Sequence, residues 1–198
     1  REGTVVDADN LMDDMVTIAE NMTNELGKIE QFDDDEKTKL FEMIGLGALK
    51  YFILKVDPKK NMMFDPEKSI DFNGNTASFI QYTHARISSI IRKAAVLNID
   101  HNSMDNVDSI SDLELDLVKN MYQFPALVRE AANNYSPALI ANFAYEFAKK
   151  FNQFYHDVPI LKEPNGEFVK FRLKLCQMSA QIIKNSMWLL GIDVPERM

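Results

Sequence analysis

An all-α chain is what this sequence predicts, and three observations carry that expectation. Apolar residues recur at helical spacing over most of its 198 residues. Seven Gly and seven Pro supply too little turn chemistry for an all-β sandwich or barrel. Eleven Met and thirteen Phe suit helices packed on helices. With 46% hydrophobic and 26% charged residues, the composition is that of a soluble chain able to bury a core. A single Cys excludes an intramolecular disulfide framework and a Cys-cluster zinc site, which points to a reducing, cytoplasmic setting. No apolar run approaches the roughly 18 residues that span a bilayer, and no signal peptide opens the chain. Residue 1 is Arg rather than Met, so the sequence reads as a piece of a longer protein.

Taken in order, Leu11, Met15, Ile18, Met22 and Leu26 recur at helical spacing, followed by Gly27 as a stop. Asp33 to Asp35 can cap a second helix, in which Leu40, Phe41, Ile44, Ala48, Tyr51 and Phe52 face inward. Gly45 and Gly47 weaken that helix, so close packing against a neighbour is the expected reason for them. Residues 57–75 break the pattern with Asp57-Pro58, Asp65-Pro66 and Asn73-Gly74-Asn75; they read as a linker with short extended pieces at Met62 to Phe64 and Ile70 to Phe72. Helical periodicity resumes at Thr76, with Ile80, Ile87, Ile90 and Ile91 as an apolar stripe through about Asn98. Residues 99–110 are polar and loop-like. Ser111 and Glu114 form a capping box for a helix to about Tyr122, and Pro125 is placed to open the next. Ser136-Pro137 starts a helix carrying Ile140, Phe143, Phe147, Phe151 and Phe154. Phe168, Phe171, Leu175, Met178, Ile182 and Leu189 form the last stripe, ended by Gly191 and Pro195. The result is two helical units, residues 1–75 and 76–198, the second a bundle of about five helices.

Charge divides the chain. Its net charge is -8, and residues 1–72 hold 17 acidic against 9 basic residues, while residues 73–198 hold 13 of each. The acids read as a solvated helix face, because they lack the alternate-position spacing of a calcium loop. His84, His101 and His156 are far apart and lack metal-ligand spacing, so no metal site is expected. Gly45-Leu46-Gly47 lies in a helical stretch without the third Gly of a dinucleotide fingerprint. Cys176 falls in an apolar helix as a buried, inert thiol. No catalytic residues are assigned.

Phe79, Tyr82 and Arg86, at i, i+3 and i+7, share a helix face apart from the isoleucine stripe. Two readings stand on the residues alone: packing against a neighbouring helix with Arg86 on a carboxylate, or stacking of an unpaired RNA base with Arg86 on a phosphate. Asn152, Tyr155 and His156, with Phe154 read as core, form a similar cluster at a helix end.

The run from Phe72 through Asn73-Gly74-Asn75-Thr76 to Phe79-Ile80-Gln81-Tyr82-Thr83-His84-Ala85-Arg86 resembles the passage into the anticodon-binding domain of arginyl-tRNA synthetases. Gly45 to Lys50, Ala148 to Tyr155, and the ending Leu189 to Ile192 with Pro195-Glu196-Arg197-Met198 resemble the same family in the same order. Arg1 to Val6 is similar to the segment directly after the second signature loop of class I synthetases. Ala77-Ser78 departs from the family's Gly-Pro, which leaves the helix cap at Thr76 or Ser78. The resemblance implies stem-contacting helices over residues 1–75 and a DALR-type helical anticodon domain over 76–198. It implies tRNA-Arg as the partner, not DNA or a membrane, with Phe79, Tyr82, Arg86, Asn152, Tyr155 and Met198 as tRNA-binding residues. It also implies that ATP with Mg, and arginine, bind a catalytic domain upstream, so that this piece alone holds no cofactor and is inactive. The anticodon domain of another class I synthetase, such as the cysteinyl enzyme, and a non-enzymatic helical interaction module are the alternatives.

Overall fold

Most of the helices begin where the sequence supplies a side-chain acceptor for their unpaired N–H groups. The computed structural model describes residues 7–25, 31–100, 107 and 109–198. Among these are seven helices and no strand: α1 (Ala8–Glu25), α2 (Asp34–Leu54), α3 (Pro66–Ser69), α4 (Ala77–Val96), α5 (Asp112–Asn133), α6 (Pro137–Asp157) and α7 (Gly166–Leu189). Asp33 and Glu36 close a capping box on α2, and Ser111 and Glu114 close one on α5. Thr76 caps α4 through the Phe79 N–H while its hydroxyl donates to the Asp71 carbonyl. The end of α7 is a Schellman turn: the Ile192 N–H reaches the Met187 carbonyl and the Gly191 N–H that of Trp188, with Gly191 at φ 68°. Leu26, Gly27, His101 and residues 1–6 lie outside the described residues.

Two buried clusters organise the helices. The first joins Met15 and Ala19 of α1 to Leu40, Phe41, Ile44 and Ala48 of α2, with Ile70 closing it. Gly45 makes this packing possible, since a Cβ there would lie 2.7 Å from the Met15 carbonyl oxygen. The larger cluster packs α4, α5, α6 and α7, with Phe147, Phe151 and Phe154 fully buried at its centre. Tyr51 of α2 enters this second cluster, its hydroxyl 2.6 Å from Asn75 Oδ1 and 2.9 Å from the Ala141 carbonyl. Burial holds the Tyr51 phenol above its ordinary pKa.

Three expectations change. Pro125 does not open a helix: α5 runs through it, so four helices rather than five follow Thr76. Its ring is exposed, and burial of Leu117, Met121, Phe124 and Ala131 on both sides keeps the helix continuous despite the lost N–H. Met62 to Phe64 are neither helix nor paired strand, but Ile70 to Phe72 do not begin as an extended piece: Ile70 ends α3, capped at its start by Asp65, with helical backbone. Of the expected α7 stripe, Leu175 is buried and Phe171 and Ile182 pack against the core, whereas Met178 and Leu189 are exposed; Val169, Leu173, Cys176, Ile183 and Met187 complete the buried face, beside the small buried Ser179 and Ser186.

One buried ion pair fastens the bundle. Arg172 of α7 donates from Nε to Glu114 Oε1 at 2.6 Å and from Nη1 to Glu163 Oε2 at 2.6 Å and the Pro159 carbonyl at 2.7 Å. Burial alone would raise the Glu114 carboxyl, but Arg172 and the Ser111 N–H and hydroxyl outweigh it and hold the group below its usual range. This contribution is therefore present above the unfolded carboxylate pKa of about 4.3 and is lost as pH falls through the folded value. Arg172→Met leaves Glu114 buried without its cation and is expected to cost about 3 to 5 kcal/mol in urea unfolding at neutral pH. Adding Glu114→Met should recover much of the loss, and a single variant as stable as wild type would remove the pair from this role.

Candidate nucleic-acid interface

Helix α4 divides its circumference into three faces. Ile80, Ile87 and Ala94 enter the core. Gln81, His84, Ser88 and Arg92, at i, i+3, i+7 and i+11, form a second stripe that grips the extended chain end. Gln81 Nε2 donates to the Asp193 carbonyl at 2.9 Å and to the Met43 carbonyl at 3.1 Å. His84 Nδ1 lies 2.9 Å from the Pro195 carbonyl, Ser88 Oγ donates to Glu196 Oε2 at 2.7 Å, and Arg92 Nη1 donates to the Glu196 carbonyl at 2.8 Å. Lys50 of α2 holds the Gly191 carbonyl at 2.7 Å, and Arg197 pairs with Glu36 at the start of α2. Met198 packs on the first cluster beside Phe32.

The third face of α4 carries Tyr82, Ala85, Arg86, Ser89 and Lys93, and it forms one wall of a cleft of about 330 Å³. Gln31, Phe32, Tyr155, Arg197 and Met198 line the remainder. The Arg86 guanidinium is stacked between two rings, 4.9 Å from the Tyr82 centroid and 5.2 Å from that of Tyr155. Asn152 fixes it in place, accepting from Arg86 Nη1 through Oδ1 while its Nδ2 donates to Thr83 Oγ1 at 2.8 Å. Phe72 meets the Tyr82 ring edge-on at 6.4 Å, and Arg197 lies 4.6 Å over Phe32. Arg86, Arg92, Lys93 and Arg197 are the charged side chains among the described lining residues, so the cleft is locally cationic in an acidic chain.

Of the residues singled out in the sequence, Tyr82, Arg86, Tyr155 and Met198 meet in this cleft, and Asn152 stands behind Arg86. Phe79 does not join them. It points in nearly the same direction as Arg86 but lies about 10 Å along the axis, where Tyr145 of α6 covers it at a centroid distance of 5.4 Å. The sequence reading missed Phe32, Arg92, Lys93 and Arg197. Arg92 and Lys93 carried a signal, being six and seven residues past Arg86, whereas Phe32 arrives from a distant part of the chain. No described helix is long and apolar enough to cross a membrane.

A cationic, aromatic-walled cleft on a helical bundle is a shape suited to unpaired nucleic acid. The chain belongs to the DALR anticodon binding domain family, whose model matches residues 80–198. It is 51% identical over its whole length to the arginine–tRNA ligases of Parabacteroides distasonis and Flavobacterium psychrophilum, spanning 33% and 32% of them. It also superposes on the arginyl-tRNA synthetase of Thermus thermophilus with a TM-score of 0.85 at 27% identity, covering all of this chain and 33% of that one. The chain thus spans about a third of the length of the relatives it matches.

Burial lowers the pKa of His84, an effect partly opposed by its bond to the Pro195 carbonyl and by Glu196, and reinforced by Lys184. The stability this neutral imidazole contributes is present above the unfolded pKa of about 6.5 and is lost as pH falls toward the folded value. His84→Asn keeps an N–H aimed at the Pro195 carbonyl but does not titrate. It is expected to flatten the change in urea stability between about pH 7 and pH 5; an unchanged slope would show that His84 does not carry the dependence.

Proposed function

We propose that the cleft receives the unpaired anticodon loop of tRNA-Arg, and that the whole protein joins arginine to that tRNA using ATP with Mg in the cytoplasm. The Tyr82–Arg86–Tyr155 stack is the observation that carries this reading. It offers aromatic faces to a base and a guanidinium to a base edge or phosphate, with the terminal Met198 closing the same cleft. Loop bases are unstacked, so their edges can be read directly while phosphate contacts supply position. Met198 offers a thioether to a base face. Asn152 acts through Arg86. Residues 76–198 form the anticodon unit in this reading, and residues 1–75 face the tRNA stem.

The described residues make no site that fits ATP or its metal. Gly45 and Gly47 are used for packing against Met15 and Gln81 rather than for a phosphate loop. Among the described residues, no three His, Cys, Asp or Glu converge as metal ligands. ATP and arginine are assigned to the remainder of the protein, and the 198-residue chain alone is expected to give no arginine-dependent pyrophosphate exchange. Exchange above background with the pure chain would overturn that.

Tyr155 is 43% exposed, so Tyr155→Ala tests the cleft without emptying the core. Tyr155→Ala and Tyr82→Ala are each expected to weaken filter binding of a tRNA-Arg transcript by roughly 1 to 3 kcal/mol. Deleting Met198 should weaken it less. Variants that keep wild-type discrimination against altered anticodons would refute the assignment.

A further inference from the structure

A second cavity, about 660 Å³, lies beside Tyr155. It shares Ile90, Lys93 and Tyr155 with the cleft, so the two adjoin at these side chains. Its far wall runs from His156 and Asp157 at the end of α6 through the following turn to Lys162. That turn is held in shape, because Arg172 binds the Pro159 carbonyl and Glu163, and the buried Ile160 anchors it to the core. Lys93 and Lys162 stand exposed on the rim, while the one carboxylate of the lining, Asp157, is already bonded to His156 Nδ1 at 2.6 Å. An apolar floor, a preformed turn with backbone groups, and two lysines suit a nucleotide: a base against Pro159 and Leu161, and a phosphate between the lysines.

We propose that this cavity is a second nucleotide pocket, which seats the unpaired loop nucleotide adjoining the one in the cleft, with Tyr155 as the wedge between the two bases. The assignment rests on the reading of the cleft as an RNA site. Adjacency and charge favour a single strand over a protein segment: the rim cations continue those of the cleft, and a strand crossing from one cavity to the other carries its phosphate past Lys93.

The test uses the 198-residue chain and a labelled hairpin with the anticodon stem and loop of tRNA-Arg, titrated at several salt concentrations. Lys162→Ala, a surface change, is expected to reduce the slope of log K against log salt by about 0.7, one single-strand phosphate contact. Leu161→Ala should weaken binding roughly fivefold, and this loss should vanish when one particular loop nucleotide, different from the one coupled to Tyr82, is made abasic. Amide exchange at residues 156–162 should slow with saturating hairpin. If Tyr82→Ala weakens the hairpin while Lys162→Ala and Leu161→Ala leave affinity, salt slope and exchange unchanged, the cleft reading stands and the second pocket falls. If Tyr82→Ala is silent as well, both fall. Protection of residues 156–162 by the rest of the full-length protein, and not by the hairpin, would make the cavity a protein docking site and overturn the proposal.

Discussion

The hydrogen bonds from α4 to the chain end govern the cleft, because residues 191–198 contain no helix after the Gly191 turn, and these bonds fix their backbone beside the buried Ile192. Carbonyls of alternate residues, Gly191, Asp193 and Pro195, are taken by Lys50, Gln81 and His84. Extended backbone presents every second carbonyl to one side, and a helix presents every third or fourth side chain to one face, so the two periods mesh along the stripe from Gln81 to Arg92. Each neutral bond contributes only about 1 kcal/mol net, yet leaving one of these buried groups unpaired costs as much again or more. The end of the chain thereby becomes a fixed wall. Gly47 belongs to the same constraint, since a Cβ there would lie 2.9 Å from Gln81 Nε2 and 3.2 Å from Ile192.

A fixed wall matters because Arg86 is itself fixed. A guanidinium free to swing would lose rotamer entropy on meeting a ligand, but here two rings and Asn152 have already ordered it. Stacking between Tyr82 and Tyr155 also keeps the charge from pairing with a carboxylate, which would neutralise it. Local potential, rather than the net charge of -8, is what an incoming polyanion meets at short range, since charges beyond about 8 to 10 Å are largely screened at physiological salt.

How much of the fold was legible in the sequence depends on the range over which each signal acts. Caps at Asp33, Thr76 and Ser111 involve neighbours within three residues, and the structure has each of them. The glycines of α2 announced close approach, though not to what; the backbone of Met15 and the side chain of Gln81 appear only in three dimensions. Periodicity was only partly decisive where apolar residues exceeded one face: in α7, Leu175, Phe171 and Ile182 of the expected stripe pack on the core, but so do Val169, Leu173, Ile183 and Met187, while Met178 and Leu189 are left exposed. Pro125 had two local outcomes, first turn or tolerated interior, and burial on both sides of it chose the second. Phe79 shares a direction with Arg86 on a helical wheel, but the wheel omits the axial distance that puts Tyr145 over it.

The cleft also joins distant parts of the chain. Phe32 packs on the first cluster and Glu36 lies in the first turn of α2, while Arg197, with Met198 next to it, follows Glu36 by 161 residues, and the Arg197 guanidinium both stacks on Phe32 and pairs with Glu36. Arg197 and Glu36 are each close to half exposed, so this surface pair is worth little in stability and is easily exchanged for another anion. A phosphodiester entering the cleft offers Arg197 an acceptor of the same charge with a geometry the guanidinium can grip in two places. Exchange of Glu36 for phosphate would loosen the tie between α2 and the chain end where the acidic first helices begin. Under the proposed reading the same contact would yield to a phosphate, which would reconcile a strongly acidic unit beside the cleft with a nucleic-acid ligand.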